Sequence, residues 1–197
     1  VTWGNSDLGG DSSGIDFSAN KVQGMSGASS GSECVVNCAA NTAKKVGSAN
    51  LTIKDSGGST VSGTFITGSD GKLDTSGLSD GSYSASYTLS DSQTDSIING
   101  LDVSDILDIS SNLNTSPTAK QKTLADFDGN GSINGLDVSA VLDLSSQLSN
   151  SGTKVVLRLA NESDPFTNKT FTTSTGSDLI LSAYALGDMN GTYADIL

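Results

Sequence analysis

The 197-residue sequence predicts a mainly β chain interrupted by a small α insert. Three observations carry this. Over residues 49–90, and again over 151–197, β-branched and aromatic residues recur in short, nearly alternating runs. Those runs are separated by Gly, Asp, Asn and Ser clusters, in a chain that holds 23 glycines. Between the two β regions, over residues 91–150, the apolar spacing becomes helical and a repeat appears.

Residues 1–48 read as an N-terminal strand and loop segment. Thr2, Trp3 and Gly4 ahead of a glycine-rich turn resemble one repeat of the RCC1-type propeller families. A single such repeat cannot bury its face without neighbours. The strand near Val1 is therefore expected to find a partner, in its own sheet or by donation to another chain. Cys34 and Cys38 are expected to form a small local disulfide in an oxidising compartment. A zinc site would need more Cys or His than the chain contains.

In the first β region, strands are expected over 50–54, 60–67 and 82–89, with Asp-Gly turn signals at 70–71 and 80–81. In the second, 154–159, 169–173 and 178–184 carry the β pattern. The pattern resembles the small prealbumin-like or Cna-B-like sandwiches of bacterial surface proteins. It implies one β-sandwich interrupted by the insert, or two β units bridged by it.

The insert is internally duplicated. Residues 98–113 match residues 133–148 at a constant offset of 35, with twelve of sixteen positions identical. Ahead of the second copy lies a twelve-residue run with Asp126, Asp128, Asn130, Ser132, Asn134 and Asp137 at positions one, three, five, seven, nine and twelve. Gly131 stands at position six, where the chain must turn sharply. Calcium is a hard cation that takes six to eight oxygens, and alternate loop residues point inward to supply them. Position seven would give its backbone carbonyl, and a carboxylate at twelve would tie the following helix to the ion. Ahead of the first copy, Asp91, Gln93, Asp95, Ile97 (through its carbonyl), Asn99 and Asp102 fill the same positions. There Gln93 is a neutral ligand and Ser96 replaces the turn glycine, so weaker affinity is expected. Asp188 and Asn190 form the opening half of a third such loop. The competing reading of each run is a solvated Asx-type turn. Residues 118–125 are expected to form a short helix delivering Asp126. Val103, Ile106, Leu107 and Leu113, with Val138, Val141, Leu142 and Leu148, are expected to form the core of the helix pair.

Aspartate at position twelve, paired loops and one helix after each loop resemble dockerin modules over residues 91–148. That resemblance implies two bound Ca2+ ions, with a third or a completing contact at Asp188 and Asn190. The expected fold is thus β-sandwich(es) plus a dockerin-like pair of calcium loop–helix units.

Composition bounds the function. The net charge of −12 and the lack of a basic cluster argue against nucleic acid and anionic membrane as partners. Zero histidines remove His-based triads and general bases. No apolar run is long enough to insert in a membrane, and no signal peptide is visible; the start at Val1 reads as that of a processed product or a fragment. The sequon matches at Asn50, Asn114, Asn161, Asn168 and Asn190 arise easily in so Ser/Thr/Asn-rich a chain. The Asp164-Pro165 pair resembles the scissile bond of self-processing calcium-dependent modules and has no further support. The expectation is a non-enzymatic, extracellular or cell-surface module, calcium-stabilised and mediating protein–protein assembly, with filament formation by strand addition as its sharper form. The alternative is a dockerin that docks onto a cohesin in a multi-enzyme complex.

Overall fold

The computed structural model describes residues 33–149, 151–174 and 177–197. The expected strand near Val1 lies outside the described residues. Eight strands form one mixed sheet: β1 (Cys34–Cys38), β2 (Asn50–Asp55), β3 (Phe65–Ile66), β4 (Lys72–Leu73), β5 (Gly81–Thr88), β6 (Lys154–Leu159), β7 (Phe171–Thr173) and β8 (Leu179–Ala185). Their order is β3-β2-β5-β6-β8-β1-β4, with β7 on the β6 side of β5. An isolated bridge between Thr67 and Leu73 links the end of β3 to β4, so the sheet nearly closes on itself.

This corrects the expected sandwich. The two β regions are neighbours in one sheet, because β5 pairs with β6 from Ala85↔Leu157 to Thr88↔Lys154. β1, placed by the sequence reading in the N-terminal segment, is a full member that runs parallel to β8. The strand expected over 60–67 shrinks to Phe65–Ile66. Gly63, at φ +138°, breaks the extended run. The turn at Asp70-Gly71 forms as expected. Gly71 sits at φ +76°, and a Cβ there would come within 2.8 Å of the Val36 carbonyl oxygen.

The expected disulfide is also corrected. Cys34 and Cys38 are free, buried thiols at the two ends of β1. Four residues of strand separate their Cα atoms by about 13 Å, whereas a disulfide needs less than about 7 Å. Both thiols instead face the core with Val36, on the inward period of two.

Four helices fill the insert: α1 (Asp91–Ile97), α2 (Gly100–Ser110), α3 (Ala119–Ala125) and α4 (Gly135–Ser145). Each opens with a reciprocal capping box: Ser90 with Gln93, Asn99 with Asp102, Thr118 with Gln121, and Asn134 with Asp137. The insert leaves and re-enters the sheet at one point. Leu89 N–H donates to the Thr153 carbonyl, and Thr153 N–H donates to the buried Thr94 hydroxyl on α1. Residues 89–153 are therefore an elaborated hairpin connection between adjacent antiparallel strands.

The core is continuous from the inner face of the sheet (Ile53, Ala85, Val155, Leu157, Leu181) to the helices, through Ile97, Ile98, Ile106, Ile109, Val141 and Leu144. α2 and α4 pack on each other. Their buried stripes are Asp102, Ile106, Ile109 and Asp137, Val141, Leu144. Of the expected helix core, Ile106 and Val141 are buried, and Val103 and Val138 partly so. Leu107, Leu113, Leu142 and Leu148 face outward instead, because the caps rotate the stripe onto the Asp, i+4 and i+7 positions. A second small cluster, Leu124, Val156, Tyr184 and Leu186, seats α3 on the outer face of the sheet. A closing 3-10 helix, Thr192–Ile196, lies against α1.

Candidate metal centre

The loop of the second copy brings three of its expected ligands, Asp126, Asp128 and Asp137, together. α3 ends at Ala125 and Asp126 is its C-cap. The chain then turns through Gly129 and Gly131, at φ +77° and +91°, and enters α4 at Asn134. One carboxylate oxygen from each of Asp126, Asp128 and Asp137 lies within 4.8 Å of the others. Asp126 and Asp137 are buried while Asp128 is exposed. Backbone donors aim the buried pair. Phe127 and Asp128 N–H groups donate to Asp137 Oδ1 at 2.9 and 3.3 Å, Asn134 N–H donates to Asp137 Oδ2 at 2.9 Å, and Gly131 N–H donates to Asp126. Asp137 thus serves two ends: it closes the α4 capping box and presents its carboxylate to the loop. The three grouped carboxylates offer only oxygens, which suits a hard divalent cation and not a soft one; the Asn130 and Asn134 side-chain oxygens accept instead from the Ser132 and Leu136 N–H groups.

The first copy is built differently from the expectation. Asp91, Gln93 and Asp95 lie on α1, not in a loop. Gln93 caps that helix, and Ile97 ends it, buried. The place they were expected to fill beside Asp102 is taken by the C-terminal segment. Met189 and Asn190 N–H groups donate to Asp102 Oδ1 at 2.8 and 3.2 Å, and Asn99 N–H donates to Asp102 Oδ2 at 2.9 Å. These are the same bonds that Phe127, Asp128 and Asn134 make to Asp137. Asp188 stands where Asp126 does, and its carboxylate accepts from Gly191, Thr192 and Tyr193 N–H groups. Gly191, at φ +82°, mirrors Gly129. The Thr192 hydroxyl, at the position of Asn130, donates to the Ile97 carbonyl and lies 3.0 Å from Asp188 Oδ1. The expected third half-loop is therefore the opening half of the first copy, delivered from the far end of the chain.

The chain matches no family model, no curated protein and no solved structure.

Electrostatics separate the two clusters. Lys169 Nζ lies 3.5 Å from Asp126 Oδ2 and donates to the Gly129 carbonyl at 2.9 Å. No Lys or Arg among the described residues reaches ion-pair distance of Asp102, Asp137 or Asp188. Burial raises the Asp102 carboxyl above the ordinary carboxylate range. Hydrogen bonds from Asn99, Asn190 and Met189 oppose that shift, and the charge of Asp188 adds to it. Thr192 and the pairing of 188–192 with 97–102 were missed from sequence. Two signals were there to find them. Asp188-Met-Asn-Gly-Thr aligns with Asp126-Phe-Asp-Gly-Asn without a gap, and Ser90 with Gln93 spells a capping box where a loop was expected.

Proposed function

We propose that this chain is a calcium-stabilised extracellular structural module that mediates protein–protein assembly without catalysis. The observation that carries the reading is the four buried carboxylates, Asp102, Asp126, Asp137 and Asp188, gathered in two like-built clusters with Lys169 as their one ion-pair partner among the described residues. Buried charge is stable when paired or bound to metal. The tighter site would be held by Asp126, Asp128, Asn130, the Ser132 carbonyl, Asn134 and Asp137. The weaker would be held by Asp188, Asn190, Thr192, the Ile97 carbonyl and Asp102. Because the second set draws on both α2 and the C-terminal segment, an ion there would clasp the end of the chain to the helical insert. Each ion adds stability with the logarithm of one plus the ratio of free calcium to Kd, about 2.7 kcal/mol at a hundredfold excess over Kd.

Calorimetric calcium titration of the full chain tests this. Two equivalents are expected. Asp137→Ala should remove the tighter one, and Asp188→Ala the weaker. Asp95→Ala should remove neither, since Asp95 lies on a helix. Equal melting temperatures in calcium and in EGTA would overturn the reading.

A specific observation favours one second reading, a docking module that presents its duplicated helices to a cohesin-like receptor. Leu101 and Leu136 are each 70% exposed, and Leu113 and Leu148 are 75% and 77% exposed, so both copies turn the same leucines to solvent. A cohesin pull-down lost on Leu→Asp substitution at both copies would favour it over self-assembly.

A further inference from the structure

On the outer face of the sheet, beside the loop of the second copy, lies a cavity of about 370 Å³. Its floor is the outward face of three strands. Lys54 comes from β2, Ser84 and Ser86 from β5, and Lys154 and Arg158 from β6, placed side by side by the register Lys54↔Ser84 and Ser86↔Val156. Lys169, Phe166 and the 126–129 loop form the walls. Four of the ten basic residues of a chain with net charge −12 therefore line one hollow. Asp126 and Asp128 also border it, so the cations outnumber the carboxylates two to one even before any ion binds.

Arg158 makes this a built site. It is only 7% exposed. Its Nε donates to the Pro165 carbonyl at 3.0 Å, and its Nη1 donates to the carbonyls of Leu157 and Lys169 at 3.0 and 3.4 Å. Among the described residues no acceptor engages Nη2, and no carboxylate comes within ion-pair distance of the guanidinium. A guanidinium held by carbonyls on two nitrogens, with no acceptor on the third, in a residue that lines a cavity, is preorganised for an external carboxylate. The field around it points the same way. Burial, then the charges of Lys54, Arg158 and Lys169, push the Lys154 ammonium below its ordinary value. Asp126 offsets part of this charge, through its ion pair with Lys169 and its field at Arg158, whereas Lys54 and Lys154 have no ion-pair partner among the described residues.

The cavity's shape limits the occupant. A bare inorganic anion would fill a small part of it, whereas pockets of roughly 300–1,000 Å³ hold small organic ligands. An extended peptide has no backbone to pair with, because β5 is paired on both edges, by β2 on one and by β6 and β7 on the other. Serine hydroxyls on the floor and the Phe166 ring on the wall offer hydrogen bonds and one apolar face, the mixture that a sugar ring presents in return. We propose that this cavity binds an acidic monosaccharide unit, a hexuronate, with its carboxylate on Arg158 Nη2 and the lysine ammoniums, either free or as a residue of an acidic polysaccharide. The inference rests on the sheet-face cations and not on calcium.

The test is a calorimetric or NMR titration of the full chain, in calcium buffer, with glucuronate, a galacturonate trimer, glucose, acetate and an Asp-containing tripeptide. The uronates should bind, and the trimer should exceed the monomer if the source is a polysaccharide. Lys54→Ala with Lys154→Ala changes two exposed side chains, should leave the fold intact, and should weaken uronate binding about tenfold, as expected for a lost charge-assisted contact. Arg158→Lys should weaken it further, with circular dichroism checking that the variant folds. Glucose or acetate binding as tightly as glucuronate would overturn the proposal. So would a tighter tripeptide, or uronate affinity unchanged in the double-lysine variant.

Discussion

Lys169 and Asp126 set the balance at the loop of the second copy. The ammonium of Lys169, whose side chain is 40% exposed, lies 3.5 Å from a carboxylate that would be the ion's first ligand. A cation entering the loop must take that carboxylate from Lys169 and is repelled by it at the same time. Replacing Lys169 with Met keeps the apolar stem and removes the competitor. Calcium affinity at the tighter site is therefore expected to rise about threefold, a modest change because the lysine is well solvated; a fall in affinity would show that Lys169 supports the loop rather than competes with the ion. Asp137 shows why aspartate, not glutamate, closes this loop. Its carboxylate accepts from Asn134, Phe127 and Asp128 N–H groups together, a reach that fits the short side chain at the third position of α4.

Among the elements, the helical insert depends on how its two ends meet. Leu89 and Thr153 are bonded neighbours, and Gly152 lies directly against them: a Cβ there would sit 1.7 Å from the Leu89 carbonyl oxygen. That atom is backbone in a strand-end pair and cannot rotate away. Gly152→Ala should cost about 3 kcal/mol, lowering Tm by roughly 10 °C. Gly100→Ala, where nothing lies within 4 Å of the new methyl, serves as control and should stay within about 0.5 kcal/mol of the parent. The same element logic explains α1. Ser90 and Gln93 satisfy each other's backbone donors, and Thr94 hydrogen-bonds back to Ser90 and across to Thr153. Local capping and one tertiary bond outweigh the loop-like distribution of Asp91, Gln93 and Asp95.

For the molecule as a whole, the interior holds acids that stay protonated only while folded. Burial pushes the Cys34 thiol up to about 12 and the Tyr193 hydroxyl up to about 12. Tyr87, whose hydroxyl meets that of Tyr193, is raised as well, by burial first and then by its partner. In the unfolded chain these groups ionise at their ordinary values, so above those values the unfolded state binds fewer protons than the native one. Stability must then fall as pH rises. Denaturant midpoints should be insensitive to these groups below about pH 9 and should decline steadily between about 9 and 12. Cys34→Ser with Tyr193→Phe should flatten that decline. A midpoint constant to pH 11 would mean that the hydroxyl pair and the thiol are solvated.

Short stretches of sequence carry the local chemistry: most of the alternating strands (not that over 60–67), the Asp-Gly turn at 70–71, the duplicated segment, the α3 helix and the turn that brings Asp126, Asp128 and Asp137 together. Each of these is encoded within about a dozen neighbouring residues, where propensity, capping and side-chain period act directly. Tertiary structure alone decided what joined to what. It made one sheet of two β regions, held Cys34 and Cys38 apart on one strand, brought Asp188 and Asn190 to Asp102, and set Lys54, Lys154, Arg158 and Lys169 around one cavity. No local rule reaches that far. The choice of partners was made by burial, since Asp102 leaves water only when the C-terminal segment arrives with backbone donors to satisfy it.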